Sequence, residues 1–388
     1  MHKVNFTAHN KITLLECGAV FFPALIAAID QAQVEIHLET YIFALDNVGI
    51  DIKTALERAA GRGVLVRVIA DWLGSGRAVS KRLSREFAAA NVEYRSFNPW
   101  FLRGVARTHR KLCVIDQTVG FVGGINLNDD LFSDDYACVP LPAPRWDFAV
   151  RVEGPLVFGM QREVDLQWLR VGKLQLRARW KRFRNARTLL TPHGEAPMVA
   201  GLVVRDNLRN RRTIQRAYLV ALASARHSAV LANPYFAPGR KLRDALARAA
   251  RRGVDVTLLI GVGQFRIQDA VAHSFYPKLL KAGVKVVEYR KTQLHAKVAV
   301  VDDGWATVGS SNYDGLSLFV NQEANIVIRD AEFSRQLRAA IGRGIADGTP
   351  VDAVEFAHIP RHIRFWYGVA YFLYQGVLRI ITLGKYAE

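Results

Sequence analysis

The 388-residue sequence predicts an α/β fold made of two duplicated halves. Three observations predict it: strand-like and helix-like runs alternate, three segments recur in the same order, and half of the residues are hydrophobic. ALERAAGRGVLVRVI (Ala55 to Ile69) pairs with ALARAARRGVDVTLLI (Ala245 to Ile260). NVEYR (Asn91 to Arg95) pairs with VVEYR (Val286 to Arg290), and HRKLCVID (His109 to Asp116) with HAKVAVVD (His295 to Asp302). Two long copies indicate a duplicated domain rather than a solenoid. The apolar fraction suffices for a large buried core.

Each half is justified element by element. Gln33 to Phe43 is rich in apolar and β-branched residues and reads as a strand. Ile50 to Ala60 has helical spacing, which Gly61 and Gly63 end. Val64 to Ala70 is a short apolar run suited to a buried strand. The same order returns from Ala229 to Gly261. Repeated strand-helix units imply helices layered over a sheet. We therefore expect one half over 1–168, a basic aromatic linker over 169–197, a second half over 198–345 and a tail over 346–388. The linker carries Arg170, Lys173, Arg177, Arg179, Lys181, Arg182, Arg184 and Arg187, with Trp180 and Phe183 among them. The tail, from Arg361, is aromatic and apolar with basic flanks. Its near-uncharged core, Phe365 to Leu378, is too short for an ordinary membrane span. It suits an interfacial helix with Trp366, Tyr367, Tyr371 and Tyr374 at headgroup level.

The net charge of +18 favours a polyanionic partner, either nucleic acid or an anionic membrane. Cys17, Cys113 and Cys138 are isolated, so neither a zinc site nor a disulfide framework is expected. The first residues lack a secretory signal pattern. No stretch reads as a transmembrane helix.

The repeat carries its chemistry in a His-x-Lys-x4-Asp pattern, at His109, Lys111 and Asp116 and again at His295, Lys297 and Asp302. Residues two apart on a strand share a face, so each His-Lys pair points into one pocket. Asp116 and Asp302 have the opposite parity and suit bracing roles. Cleaving an anionic phosphodiester needs charge neutralisation, a nucleophile and an acid. Two lysines supply the first. One histidine can attack phosphorus, and the other can protonate the leaving oxygen. No metal or cofactor is required. Gly123-Gly124-Ile125-Asn126 follows the first motif and Gly309-Ser310-Ser311-Asn312 the second. Their glycines permit close approach to phosphate, and Asn126 and Asn312 can donate to it. Asp147 and Glu323 lie downstream, and a carboxylate on a histidine's distal nitrogen fixes its tautomer. We expect Asp147 to serve His109 and Glu323 to serve His295.

These segments resemble the phospholipase D superfamily, and within it the short bacterial cardiolipin synthases. LETYIFALDNVG, THRKLCVID, WDFAVRVEGP, VLANPYFAPG, LHAKVAVVDDGWATVGSSNYD and NQEANIVI carry the resemblance, in the family's order. It implies an α-β-α sandwich of two pseudo-symmetric halves with one active site at their interface. It also implies ping-pong transfer through phosphohistidine, with His109, Lys111, Asp116, His295, Lys297 and Asp302 as the motif residues. On that resemblance His109 attacks and His295 transfers protons. Gly124 departs from the family's usual serine, so the first copy would lack one hydroxyl donor to phosphate. The leading reading is transfer of a phosphatidyl group between two phosphatidylglycerol molecules with release of glycerol. It would occur peripherally on the cytoplasmic side of a bacterial cell membrane, with no nucleic acid partner. The alternative is a phospholipase D-type phosphodiesterase or nuclease using the same residues. Both complete motifs argue against a third reading, a scaffold with a dead site.

Overall fold

The computed structural model of the chain describes residues 4–134, 138–172, 197–206 and 210–381. The greater part of the basic linker, 173–196, lies outside them. The strands are β1 (Phe6–Glu16), β2 (Glu35–Thr40), β3 (Leu65–Asp71), β4 (Glu93–Phe97), β5 (Leu102–Val105), β6 (Leu112–Ile115), β7 (Val119–Gly123), β8 (Phe148–Glu153), β9 (Met198–Arg205), β10 (Ser228–Asn233), β11 (Asp255–Gly261), β12 (Lys285–Tyr289), β13 (Val298–Val301), β14 (Trp305–Gly309), β15 (Glu323–Arg329) and β16 (Thr349–Pro350).

All but β5 join one 15-stranded sheet, in the order β16-β12-β11-β10-β13-β14-β15-β9-β1-β8-β7-β6-β2-β3-β4. The order is a near-palindrome about the β9/β1 pair. β2, β3 and β4 run parallel, as do β10, β11 and β12, and the remaining pairs are antiparallel. The duplication read from sequence is therefore a duplication of sheet topology.

Local sequence explains the matching helices. In Asn47–Gly61 the buried positions Ile52, Ala55, Leu56 and Ala59 form one stripe. The Asp46 carboxylate caps its start by accepting from the Gly49 N–H at 2.8 Å. In Arg240–Arg251 the stripe is Leu242, Ala245, Leu246 and Ala249. Gly63 and Gly253 follow these helices with φ of 90° and 91°, which favours glycine. The expected strand at 33–43 is shorter, Glu35–Thr40. The N–H groups of Gln33 and Val34 bond the Asp116 carboxylate.

The core has three main parts. One packs helices Cys17–Gln31 and Asn47–Gly61 on the first half, and another packs Thr213–Ser224 and Arg240–Arg251 on the second. The third lies on the opposite face of the sheet and draws Val114, Phe148 and Val150 from one half and Leu259, Val298 and Ile326 from the other. Helices Leu156–Val171 and Ala331–Ala346 cover it.

The C-terminal helix, Arg361–Ile381, docks by one face. Tyr367 meets His273 with ring centroids 5.0 Å apart, Tyr371 meets Phe275 at 5.1 Å, and Leu378 is buried. The Tyr374 hydroxyl accepts the Gly315 N–H at 2.7 Å. The expected outward placement of Tyr367, Tyr371 and Tyr374 is thus corrected: these rings face the protein because their apolar bodies find a complementary surface there. Phe365, Trp366, Phe372, Leu373, Val377 and Ile380 form the exposed side. Among the described residues no helix is long and apolar enough to cross a membrane.

Candidate active site

The two motif segments run extended into β6 and β13. In each, the chain before the strand crosses to the other half. The His109 N–H donates to the Gln322 carbonyl at 2.8 Å, just before β15. The His295 N–H donates to the Trp146 carbonyl at 2.9 Å, just before β8. These crossings set the side-chain partners. His109 Nδ1 lies 3.1 Å from Glu323 Oε2 and 3.0 Å from the Ser310 carbonyl. His295 Nδ1 lies 2.6 Å from Asp147 Oδ2. The expected pairing within each half is therefore reversed: each histidine takes its carboxylate from the opposite half. Sequence order suggested the nearer carboxylate, but the crossing brings the farther one to the ring.

His109, Lys111, His295, Lys297, Asp147 and Glu323 are all buried. The Lys111 ammonium donates to the His109 carbonyl at 3.0 Å, and Lys297 donates to the His295 carbonyl. Burial, and then the Lys297 charge, push the Lys111 pKa down to about 7. Burial lowers that of Lys297 to about 8, against the charges of Asp147 and Asp134. The Lys297 charge felt at Lys111, together with the two histidine-carboxylate contacts that cross between halves, marks one shared site. Burial lowers the His109 pKa, opposed by Glu323. Burial and the Lys297 charge depress His295 well below its ordinary value. Burial raises Asp147 to about 6, opposed by Lys297 and by the Phe148 N–H.

The two histidines differ at the other ring nitrogen. Both acceptors on His109 face Nδ1, so Nδ1 carries the proton and Nε2 keeps its lone pair. On His295, Nδ1 meets Asp147 and Nε2 lies 3.3 Å from Asp134 Oδ2, so a carboxylate faces each ring nitrogen. Asp134 also accepts from the Gln293 side-chain amide at 2.5 Å. Burial works against its charge, but His295 and Arg145 hold its pKa below the ordinary range. Sequence reasoning did not find Asp134, because it has no counterpart in the repeat. Tyr41 was missed too; its ring lies 5.0 Å from the His109 ring and 5.4 Å from the Lys111 ammonium. The acidic run at Asp134 and Asp135 was its only signal in the sequence.

Asp116 and Asp302 stand apart from this cluster, at the far ends of β6 and β13. The four residues of β6 lie between Lys111 and Asp116, which are thus five positions, about 16 Å of extended chain, apart. Asp116 accepts the N–H groups of Gln33, Val34 and Glu35, each at 2.8 Å. Asp302 accepts those of Arg226, His227 and Ser228 at 2.8 to 2.9 Å. Both hold left-handed backbone, φ 49° and 47°, which aspartate tolerates better than most residues.

The glycines tighten the frame. A Cβ on Gly123 would meet Ala149 Cα at 2.5 Å, and one on Gly309 would meet Asn325 Cα at 2.6 Å. A Cβ on Gly124 would lie 2.3 Å from Asp147 Oδ1. At the equivalent position the Ser310 hydroxyl donates to Glu323 Oε2 at 2.5 Å and accepts the Ala324 N–H. Ser310 thus braces a carboxylate, which corrects its expected role as a donor to phosphate. Asn126 and Asn312 are buried, and the Oδ1 of each lacks a hydrogen-bond partner among the described residues.

Comparison with known proteins agrees with this architecture. Residues 25–139 and 218–343 match the family described as cardiolipin synthase, PLD-like domain. The chain is 43% identical over 344 residues to cardiolipin synthase B of Salmonella typhimurium, covering 87% of this chain and 80% of that protein. It is 42% identical over 343 residues to cardiolipin synthase B of Escherichia coli K12, with the same coverage. A phosphatidylserine synthase structure from Haemophilus influenzae shares the fold, with a TM-score of 0.69 at 14% identity over 98% of this chain and 97% of that one. The duplicated sheet, the paired motifs and these relatives together show that the chain belongs to the cardiolipin synthase family of phospholipase D-like proteins.

Proposed function

We propose that this chain transfers a phosphatidyl group from one phosphatidylglycerol to another through a phosphohistidine, with His109 as nucleophile and His295 as acid and base. The observation that carries the assignment is the asymmetry at Nε2: both acceptors on His109 lie at Nδ1, which leaves Nε2 for attack, while His295 Nε2 faces the Asp134 carboxylate, whose charge favours a proton on that ring. His109 Nε2 attacks phosphorus, a P–N bond forms, and the P–O bond to the glycerol head breaks. His295 gives its proton to the leaving glycerol oxygen. It then takes a proton from a hydroxyl of the second phosphatidylglycerol, whose oxygen attacks phosphorus and displaces His109. Lys111 and Lys297 neutralise the phosphoryl oxygens, and Asn126 and Asn312 assist them. Glu323 and Asp147 hold the two imidazoles.

The family relationship, the +18 charge and the exposed apolar side of the C-terminal helix support a lipid substrate. That helix would rest in the interface of the cell membrane on its cytoplasmic side. Excluding water and concentrating lipid acceptor there favours transfer over hydrolysis. The test is the purified chain with labelled phosphatidylglycerol in liposomes. Cardiolipin and glycerol should appear together and be lost in His109→Ala and His295→Ala. Phosphatidic acid as the sole product would overturn the assignment.

A further inference from the structure

The duplication is broken at one place beside the site. Five residues, 290–294, separate β12 from His295, whereas eleven, 98–108, separate β4 from His109. The additional length forms a closed loop. The side-chain amide of buried Asn98 donates to the carbonyls of Gly104 at 2.7 Å and Ala106 at 2.8 Å. Asn98, Trp100 and Phe101 hold left-handed backbone, φ 50°, 55° and 58°, which residues with a Cβ avoid. The strained turn presents apolar side chains to the outside: Trp100 is 59% exposed, Phe101 48% and Leu102 77%. Exposed apolar tips on a built loop mark an interaction surface.

Its surroundings are basic and aromatic. Trp72 supports the Trp100 ring at 5.1 Å and the Phe101 ring at 6.2 Å. The Arg77 guanidinium lies 4.6 Å from the Trp100 ring centre, and that of Arg107 4.2 Å from Phe101. Arg77, Lys81 and Arg85 follow at four-residue spacing on helix Arg77–Ala89, so they share a face. All three are exposed, and none has an ion-pair partner among the described residues.

We propose that the 99–105 loop is a second membrane anchor, dipping Trp100, Phe101 and Leu102 into an anionic bilayer while Arg77, Lys81 and Arg85 meet lipid phosphates. Apolar and aromatic tips flanked by unpaired cations fit a lipid-water interface, where each part finds its own solvent. A protein partner would more often leave such cations a defined acidic counterpart, and an equal affinity for charged and neutral vesicles would count against the lipid. Thr108 and His109 follow the loop directly, so the anchor would hold the mouth of the site against the headgroups. The inference rests on the lipid reading of the site.

The full chain is sedimented with phosphatidylglycerol-containing vesicles beside the variant Trp100→Ser/Phe101→Ser/Leu102→Ser. The variant should bind about tenfold more weakly or worse. Its rate on vesicles, relative to its rate on monomeric short-chain phosphatidylglycerol, should fall by a similar factor. Trp100→Phe keeps the apolar tip and should keep binding, but bromine-labelled lipid should quench its tryptophan fluorescence less than that of the unaltered chain. Equal vesicle affinity for the triple variant, or equal quenching of Trp100→Phe and the unaltered chain, overturns the anchor. An unaltered chain that binds vesicles but turns over neither lipid form would overturn the proposed function and leave the anchor standing.

Discussion

Among individual residues, the charged groups of the site divide by which end of a strand they occupy. His109 and Lys111 enter β6 at the shared pocket, while Asp116 leaves it in a left-handed turn that holds three N–H groups of 33–35. Asp116→Ala should therefore lower stability by about 1–3 kcal/mol, seen as a shift in denaturant midpoint, with turnover per folded molecule nearly kept. A loss of turnover at full stability would contradict that role. Glu323→Gln should lower kcat by on the order of 10²- to 10⁴-fold through His109, because the carboxylate that orients the ring and stabilises its cation is gone. The pH dependence follows from depressed lysines. A lysine whose pKa lies near 7 loses its charge as pH rises through that value, so phosphate binding weakens upward. The basic limb of kcat/KM should fall between about 7 and 8, and that of kcat should lie higher, because bound phosphate stabilises the ammonium. A kcat/KM that rises from pH 7 to 9 would refute this. Strand parity led to the expectation that Asp116 braces rather than reacts; in the structure its distance from Lys111 comes from the length of β6 and the turn that ends it. The partners of the histidines were not readable, because a contact between residues 109 and 323 depends on how two halves cross.

At the level of elements, the turn after β7 and the residue leading into β8 form a matched set in the first half, as the turn after β14 and the start of β15 do in the second. The first half combines Gly124 with Asp147 and the second Ser310 with Glu323. A short carboxylate fills the space that a serine Cβ would need, whereas the longer glutamate lies beyond the hydroxyl and accepts from it. Gly124→Ser should push Asp147 off His295 and reduce turnover by tenfold or more. Adding Asp147→Glu to that variant should restore part of the loss. A double variant no better than Gly124→Ser, with both folded by circular dichroism, would show that the two positions act separately. The glycine was visible in the sequence as a departure from the second copy. Its reason was not, since the closeness of Gly124 to Asp147 arises from strand pairing between β7 and β8. The helices read more directly: helical spacing and terminal glycines placed one over Ile50 to Ala60, within a few residues of Asn47–Gly61, and the repeat from Ala229 to Gly261 carried the same order to Arg240–Arg251.

For the whole molecule, the duplication legible in three sequence blocks became one sheet and not two. β1 pairs with β8 on one side and β9 on the other, so strands of both halves share a continuous ladder. The core beneath helices Leu156–Val171 and Ala331–Ala346 takes residues from both halves. Trp146 pins this region: its ring stacks on Tyr289 at 5.4 Å, its indole N–H donates to Glu16 at 2.9 Å, and a Cβ on Gly344 would lie 2.4 Å from it. A half cut away from its neighbour would expose that apolar face to water. The chain should therefore unfold in one transition, with calorimetry and circular dichroism giving the same midpoint. Residues 1–168 expressed alone should aggregate. Trp146→Ala should destabilise the whole chain by about 3–5 kcal/mol and move that single transition without splitting it. Two resolved transitions, or a soluble monomeric half with a cooperative melt, would mean that each half carries its own sufficient core. The site would then be assembled by docking, and its histidines would find their carboxylates only after each half had folded. The shared ladder and core argue for the other order, in which pairing across the halves is part of folding itself.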